Sequence, residues 1–244
     1  MNKKVLLRIL AGFTAFFLIG ILFYLLFSFT GNPVTAWIAE RAMTQYVEEH
    51  YSEHDDWHIH GVTYNFKDDT YSILVESQTS PDTKFYVYYR PGEAVWDDYD
   101  FFVTEKQNTI LRLENEYSRL AAKILAEELG MVEYDVRVLY GEDIYEAEFL
   151  ELDMAFRRTL PVSSRMFISA HLDAPELEEV AKLLTAVHEA FRKHNCIFSE
   201  YDFHFRGEGP FMTISGVTPR HIESGNLAVL LEEAKIQDET GATR

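Results

Sequence analysis

The sequence is short of cysteine, with one in 244 residues, and short of positive charge, with 22 Lys and Arg against 40 Asp and Glu. A lone Cys196 excludes an internal disulfide, so any folded part must be held together by its core. Cys196 stands between Asn195 and the apolar Ile197-Phe198 and reads as a small buried hydrophobe, not a reactive thiol. A net charge of −18 argues against nucleic acid and anionic lipid headgroups as partners, because both would repel such a surface. It is compatible with a cation-rich cell envelope or a basic protein.

Catalytic signatures are missing too. The chain has no Gly-x-Ser-x-Gly, no His-Glu-x-x-His, no phosphate loop and no dinucleotide fingerprint. Asp55-Asp56 and Asp97-Asp98-Tyr99-Asp100 lack the glycine and distal glutamate of a calcium loop and read as solvated loops or strand faces. Ser164, Ser169 and Ser199 coexist with His171, His188, His194 and His204, with no spacing that would assemble a triad. We expect no catalytic and no cofactor-binding residue.

What the sequence does have is a long apolar run. Residues 9–29 form twenty-one residues without a charge, which is the length an α-helix needs to cross a ~30 Å hydrocarbon core. A cleaved signal peptide would have an apolar centre of only about 7–15 residues and a small-x-small cleavage triplet, and residues 28–33 offer none. A buried core helix would show a polar face. The run therefore reads as a retained signal anchor. Lys3, Lys4 and Arg8 precede it and the next basic residue is Arg41, which predicts a cytoplasmic amino terminus and an extracytoplasmic remainder in the cell membrane. The first thirty residues carry +3, which leaves −21 for the rest.

Gly31-Asn32-Pro33 follows at once. Asn32 can cap a helix whose first position is Pro33 and which runs to about Tyr51. Four strands are expected next: around 57–66, one carrying Tyr71, Ile73 and Val75, one carrying Phe85, Val87 and Tyr89, and one at 95–103. The first of them places His58, His60, Val62, Tyr64 and Phe66 on one face by the two-residue period. The helix from Asn108 to Gly130 repeats apolar residues at Ile110, Leu113, Tyr117, Leu120 and Ile124, a core stripe expected to cover that meander. Farther on, strands are expected at 134–140, 165–172, 196–206 and 210–217, with residues 144–156 extended. A helix opens at Asp173-Ala174-Pro175-Glu176 and carries Leu177, Val180, Leu184, Val187 and Phe191. A last helix follows Thr218-Pro219, and the chain frays from Asp238. The fold class is α+β: a single transmembrane helix in residues 1–30, then two small two-layer domains with antiparallel sheets, 31–130 and 131–244.

One histidine cluster stands out, in residues 48–60. His50 and His54 are four apart, on one helical face, while His58 and His60 are two apart, on one strand face. Neutral imidazoles beside carboxylates suit zinc or copper, so these four are the candidate metal ligands and zinc the one candidate cofactor. The competing reading is half-buried packing: His58 and His60 extend an apolar strand face and His50 ends an amphipathic helix.

The anchor running into Gly31-Asn32-Pro33, the helix through Tyr46, the aromatic strands after it, Phe198-Ser199-Glu200-Tyr201-Asp202-Phe203 and Ile222-Glu223-Ser224-Gly225 give the chain its family likeness. It resembles the YfjL-like family of membrane-anchored proteins of Gram-positive bacteria. The resemblance implies an extracytoplasmic α+β protein of unknown activity and brings no catalytic residues with it. The function expected is a non-enzymatic module that binds a protein or envelope partner. A divalent-metal-binding or sensing domain is the alternative, and an envelope hydrolase of unfamiliar type the third.

Overall fold

One helix gives way to another at Gly31. In the computed structural model, which describes residues 3–52, 56–171, 176–208 and 212–232, α1 (Lys3–Thr30) is followed by α2 (Pro33–His50). Among the described residues one helical stretch is long and apolar enough to cross a membrane, and none of its apolar window is buried. Gly31 has φ +77, a left-handed backbone that a side chain disfavours. A Cβ there would lie 2.9 Å from the Tyr64 ring and 3.0 Å from the Tyr71 hydroxyl. Asn32 caps α2 as expected, its Oδ1 accepting from Val34 N at 2.8 Å, while its own N–H donates to Tyr71 Oη at 2.9 Å. The Phe29 and Phe66 rings meet at 5.6 Å.

The chain divides into two compact units, residues 1–105 and 106–244. The first holds β1 (Trp57–Ile59), β2 (Thr63–Asn65), β3 (Thr70–Ser77), β4 (Lys84–Tyr89) and β5 (Trp96–Asp97). These pair antiparallel in the order β1-β3-β4-β5, with β2 also on β3. The two-residue period turns Tyr71, Ile73, Val75, Phe85 and Val87 inward against Ala39, Met43 and Val47 of α2, and all eight are buried. Asp97 fastens the helix to the sheet: Tyr46 and Tyr51 both donate to its Oδ2, at 2.7 and 2.9 Å. Burial, then the bond to Asp97, pushes the Tyr46 phenol up to about 12.

Two strand expectations in this unit are corrected. Residues 57–66 are not one strand. Ile59 faces Val75 and Thr63 faces Ser72, so four steps on one side match three on the other and an extra residue sits at 60–62. A one-residue bulge reverses which face each side chain takes. His58 therefore points away from the core while Val62 and Tyr64 pack against it. The strand expected at 95–103 stops at Asp97, because Asp97 Oδ1 accepts from Tyr99 N at 2.9 Å and turns the chain into a π-helical turn at Asp100–Thr104.

The second unit contains α3 (Gln107–Leu129), β6 (Tyr134–Tyr140), β7 (Ser164–Ala170), α4 (Leu177–Lys193), β8 (Glu200–Phe205), β9 (Met212–Val217) and α5 (Pro219–Glu223), after which residues 227–232 are helical. The stripe of α3 is buried, as its spacing predicts, but Tyr117, Ala121, Ile124 and Leu125 pack with β6, β7 and β8, not with the first sheet. The break consequently falls at 105/106 and not at 130/131. The two-layer α+β class holds. The second sheet, in order β6-β7-β8-β9, is mixed: β7 and β8 run parallel because α4 carries the chain from the end of one to the start of the other. Residues 144–156 are turns, not extended. Ile144 and Leu150 close a small cluster with Ile110 and Leu113. The capping turn at Asp173-Ala174-Pro175 and the frayed tail lie outside the described residues.

Helix α3 also satisfies the edge strand. Ser118 Oγ accepts from Val138 N and Glu114 Oε1 from Tyr140 N, both at 2.8 Å, so backbone N–H groups of β6 are spent on the helix beside it. Burial raises the Glu114 carboxyl, and the Tyr140 N–H opposes that shift only in part.

Two outcomes are expected. Gly31→Ala must place a Cβ against Tyr64 and Tyr71 and hold a left-handed backbone costing about 1–2 kcal/mol, so thermal melts should show a lower first transition and amide exchange at Asn32 should accelerate. For Glu114, a folded pKa above the unfolded one means that stability is fullest below about 4.5 and declines as pH rises through the folded pKa. Glu114→Gln keeps the acceptor for Tyr140 N and loses that decline, so the melting temperature of the variant minus that of the wild type should grow from pH 4 to pH 7.

Candidate functional site

The first sheet has a covered face and an open one. Side chains that alternate with the buried set, Leu74 on β3 and Tyr86 and Tyr88 on β4, point away from α2, and register puts Trp96 of β5 directly beside Tyr88. The three aromatic rings run as a strip. Tyr86 and Tyr88 are 6.1 Å apart at 28°, Tyr88 and Trp96 5.5 Å apart at 20°. The Arg90 guanidinium lies 5.8 Å from the Trp96 ring. Asp98 holds the strip in place: its Oδ1 accepts from Tyr86 N at 2.6 Å and its Oδ2 from Tyr88 Oη at 2.7 Å. Burial and then this bond raise the Tyr88 phenol, which stays a protonated donor at neutral pH. A fixed strip of aromatic faces with polar edges offers contact area at little entropic cost, which is the chemistry of a binding surface.

The histidines sit at the other edge of this open face. His58 is exposed and opposite Glu76 in register; the His58 and His60 rings meet at 4.5 Å, nearly perpendicular. His60 Nε2 is 2.8 Å from Glu76 Oε2. His50, at the end of α2, turns back on its own helix, with its ring stacked 4.0 Å from Tyr46 and its Nδ1 3.0 Å from the Tyr46 carbonyl oxygen. His54 lies outside the described residues. Among the described residues no group of three or more His, Cys, Asp or Glu side chains is arranged to hold a metal ion. The structure thus brings His58 and His60 together with a carboxylate and leaves His50 in a local packing role.

The family model described as YfjL-like, N-terminal domain, matches residues 3–99, and that of the YfjL-like C-terminal domain matches residues 116–232. The chain belongs to the YfjL-like family. No curated protein and no solved structure matches it.

In this YfjL-like chain one histidine outside residues 48–60 is part of a buried polar contact. His188 is buried on α4, with Nδ1 2.8 Å from Tyr201 Oη of β8 and Nε2 3.3 Å from Glu223 Oε1 of α5. Arg192 Nη1 reaches the same Glu223 oxygen at 3.3 Å. Tyr201 itself is buried and its phenol raised by that burial, so the group ties helix, strand and helix together. The spacing signal was present: His188 falls four residues after Leu184 on the buried stripe. Cys196 is buried as expected, and burial pushes its thiol up. The Tyr86–Tyr88–Trp96 strip was not among the expected site residues, because it depends on a strand register that no local pattern encodes.

Proposed function

We propose that this is a single-pass membrane protein, amino terminus cytoplasmic, whose folded part is extracytoplasmic and acts as a non-enzymatic binding module. The observation that carries the reading is the open aromatic face of the first sheet, in the unit joined within two residues to the bilayer-length α1. The excess of Lys3, Lys4 and Arg8 before the apolar run supports the orientation. Acidic charge beyond it favours a basic or neutral protein or envelope component over nucleic acid. A photo-reactive residue at Tyr86, in intact membranes, should give a discrete crosslinked adduct that the same residue at exposed Lys182 of α4 does not. Equal patterns at the two positions overturn the binding face.

A second reading is favoured by one observation, the pairing of His58 and His60 beside Glu76. Two imidazoles and a carboxylate are donors that zinc takes; as they stand they are not arranged around an ion, so binding would reorient them and exchange the His60–Glu76 hydrogen bond for metal bonds. Titration calorimetry of zinc into the full chain in detergent should then show heat that a His58→Ala, His60→Ala variant lacks. Equal heat in both removes the metal role.

A further inference from the structure

Exposed apolar side chains gather at the membrane end of the first unit, on three separate elements. At the end of α1, Phe29 is 63% exposed; in the turn from β2 to β3, Phe66 touches it and is 53% exposed. On the outer side of α2, Val34, Trp37 and Ile38 are 66%, 60% and 43% exposed. None of the three belongs to the helix stripe that packs on the sheet, which is Ala39, Met43 and Val47.

The outer stripe of α2 changes character along its length. It begins Val34, Trp37, Ile38, then carries Arg41, whose guanidinium lies 5.9 Å from the Trp37 ring, and continues as Gln45, Glu48 and Glu49. Apolar, then cationic, then acidic is the order met on leaving a bilayer through its interface. Trp belongs at the headgroup level, and Arg there keeps its stem in apolar surroundings and its charge on phosphate.

Distance points the same way. At 1.5 Å per residue Trp37 is about 6 Å along α2 from Pro33. A headgroup layer adds roughly 5–8 Å to each side of the hydrocarbon core. Whichever direction α2 takes, Trp37 cannot leave that layer by much. Glu48 and Glu49 lie more than about 20 Å along and can. Phe66, in contact with the last turn of α1, sits where the hydrocarbon ends, with exposed Lys67 next to it.

We propose that the first unit is seated in the lipid interface of the membrane that α1 crosses, with Phe66, Val34, Trp37 and Ile38 at the acyl–headgroup boundary. This rests on the reading of α1 as a membrane span. The occupant is phospholipid, and the seat is mainly hydrophobic, since the acidic remainder of the chain repels anionic headgroups. Together with the close-packed joint at Gly31, the seat holds the sheet at a set orientation to the bilayer, so that the open aromatic face is presented in one direction.

The test uses the full chain at one copy per nanodisc of zwitterionic phosphatidylcholine. Nitroxide labels are placed through Ile38→Cys, Phe66→Cys, Glu49→Cys and Phe17→Cys, with wild type as the blank because Cys196 is buried. Collision of each label with oxygen is compared with collision with a water-soluble nickel complex. The ratio of oxygen to nickel collision should be several-fold higher at 38 and 66 than at 49, and highest at 17. Ratios at 38 and 66 equal to that at 49, with 17 in hydrocarbon, overturn the seat and leave the anchor standing. A water-like ratio at 17 overturns the anchor and the seat with it. Shielding of 38 and 66 from both reagents means a protein contact there, and also overturns the lipid seat.

Discussion

The close approach of Gly31 to Tyr64 and Tyr71 is the constraint on which the first unit depends. Only a residue without a Cβ brings the helix end this near to two aromatic rings, and the same contact lets the Tyr71 hydroxyl take the Asn32 N–H that a helix start leaves unpaired. The apolar helix is therefore fastened to the sheet by packing and a hydrogen bond as well as by the chain. A flexible stalk would have decoupled the two. Here the orientation of the sheet follows that of the helix.

Each unit resolves its polar backbone and its side chains in its own way. In the first, Asp97 takes both Tyr46 and Tyr51, and Asp98 fixes Tyr86 and Tyr88, so two adjacent aspartates serve opposite sides of one sheet. In the second, α3 covers the edge strand with Glu114 and Ser118 and α4 provides the crossover that a parallel pair requires. His188 then links α4 to Tyr201 and Glu223, a polar group buried for cohesion. The first sheet buries one face under α2 and carries the Tyr86, Tyr88 and Trp96 rings on the other.

Much of this was legible from local pattern. The helix stripes of α2, α3 and α4, the cap at Asn32 and the turn at Gly31 all follow from spacing and residue type, because helix periodicity and capping are decided within a few residues. The burial of Cys196 was legible for the same reason. The two-residue period failed at 60–62, where one extra residue in the bulge exchanged inside for outside, and no hydrophobicity pattern distinguishes that bulge from a continuous strand. The histidines at 58 and 60 were assigned to the apolar face on that account, and they lie on the open one.

The sequence alone determined that a bilayer-length apolar helix leads into two α+β units and where α2 and α3 start, since these are properties of neighbouring residues. Only the tertiary structure decided which sheet α3 covers, that β7 and β8 are parallel, and that Tyr86, Tyr88 and Trp96 line up on one sheet face with His58 and His60 at its other edge. Those depend on strand register and on which apolar faces find each other across long stretches of chain, and an apolar stripe carries no label for its partner.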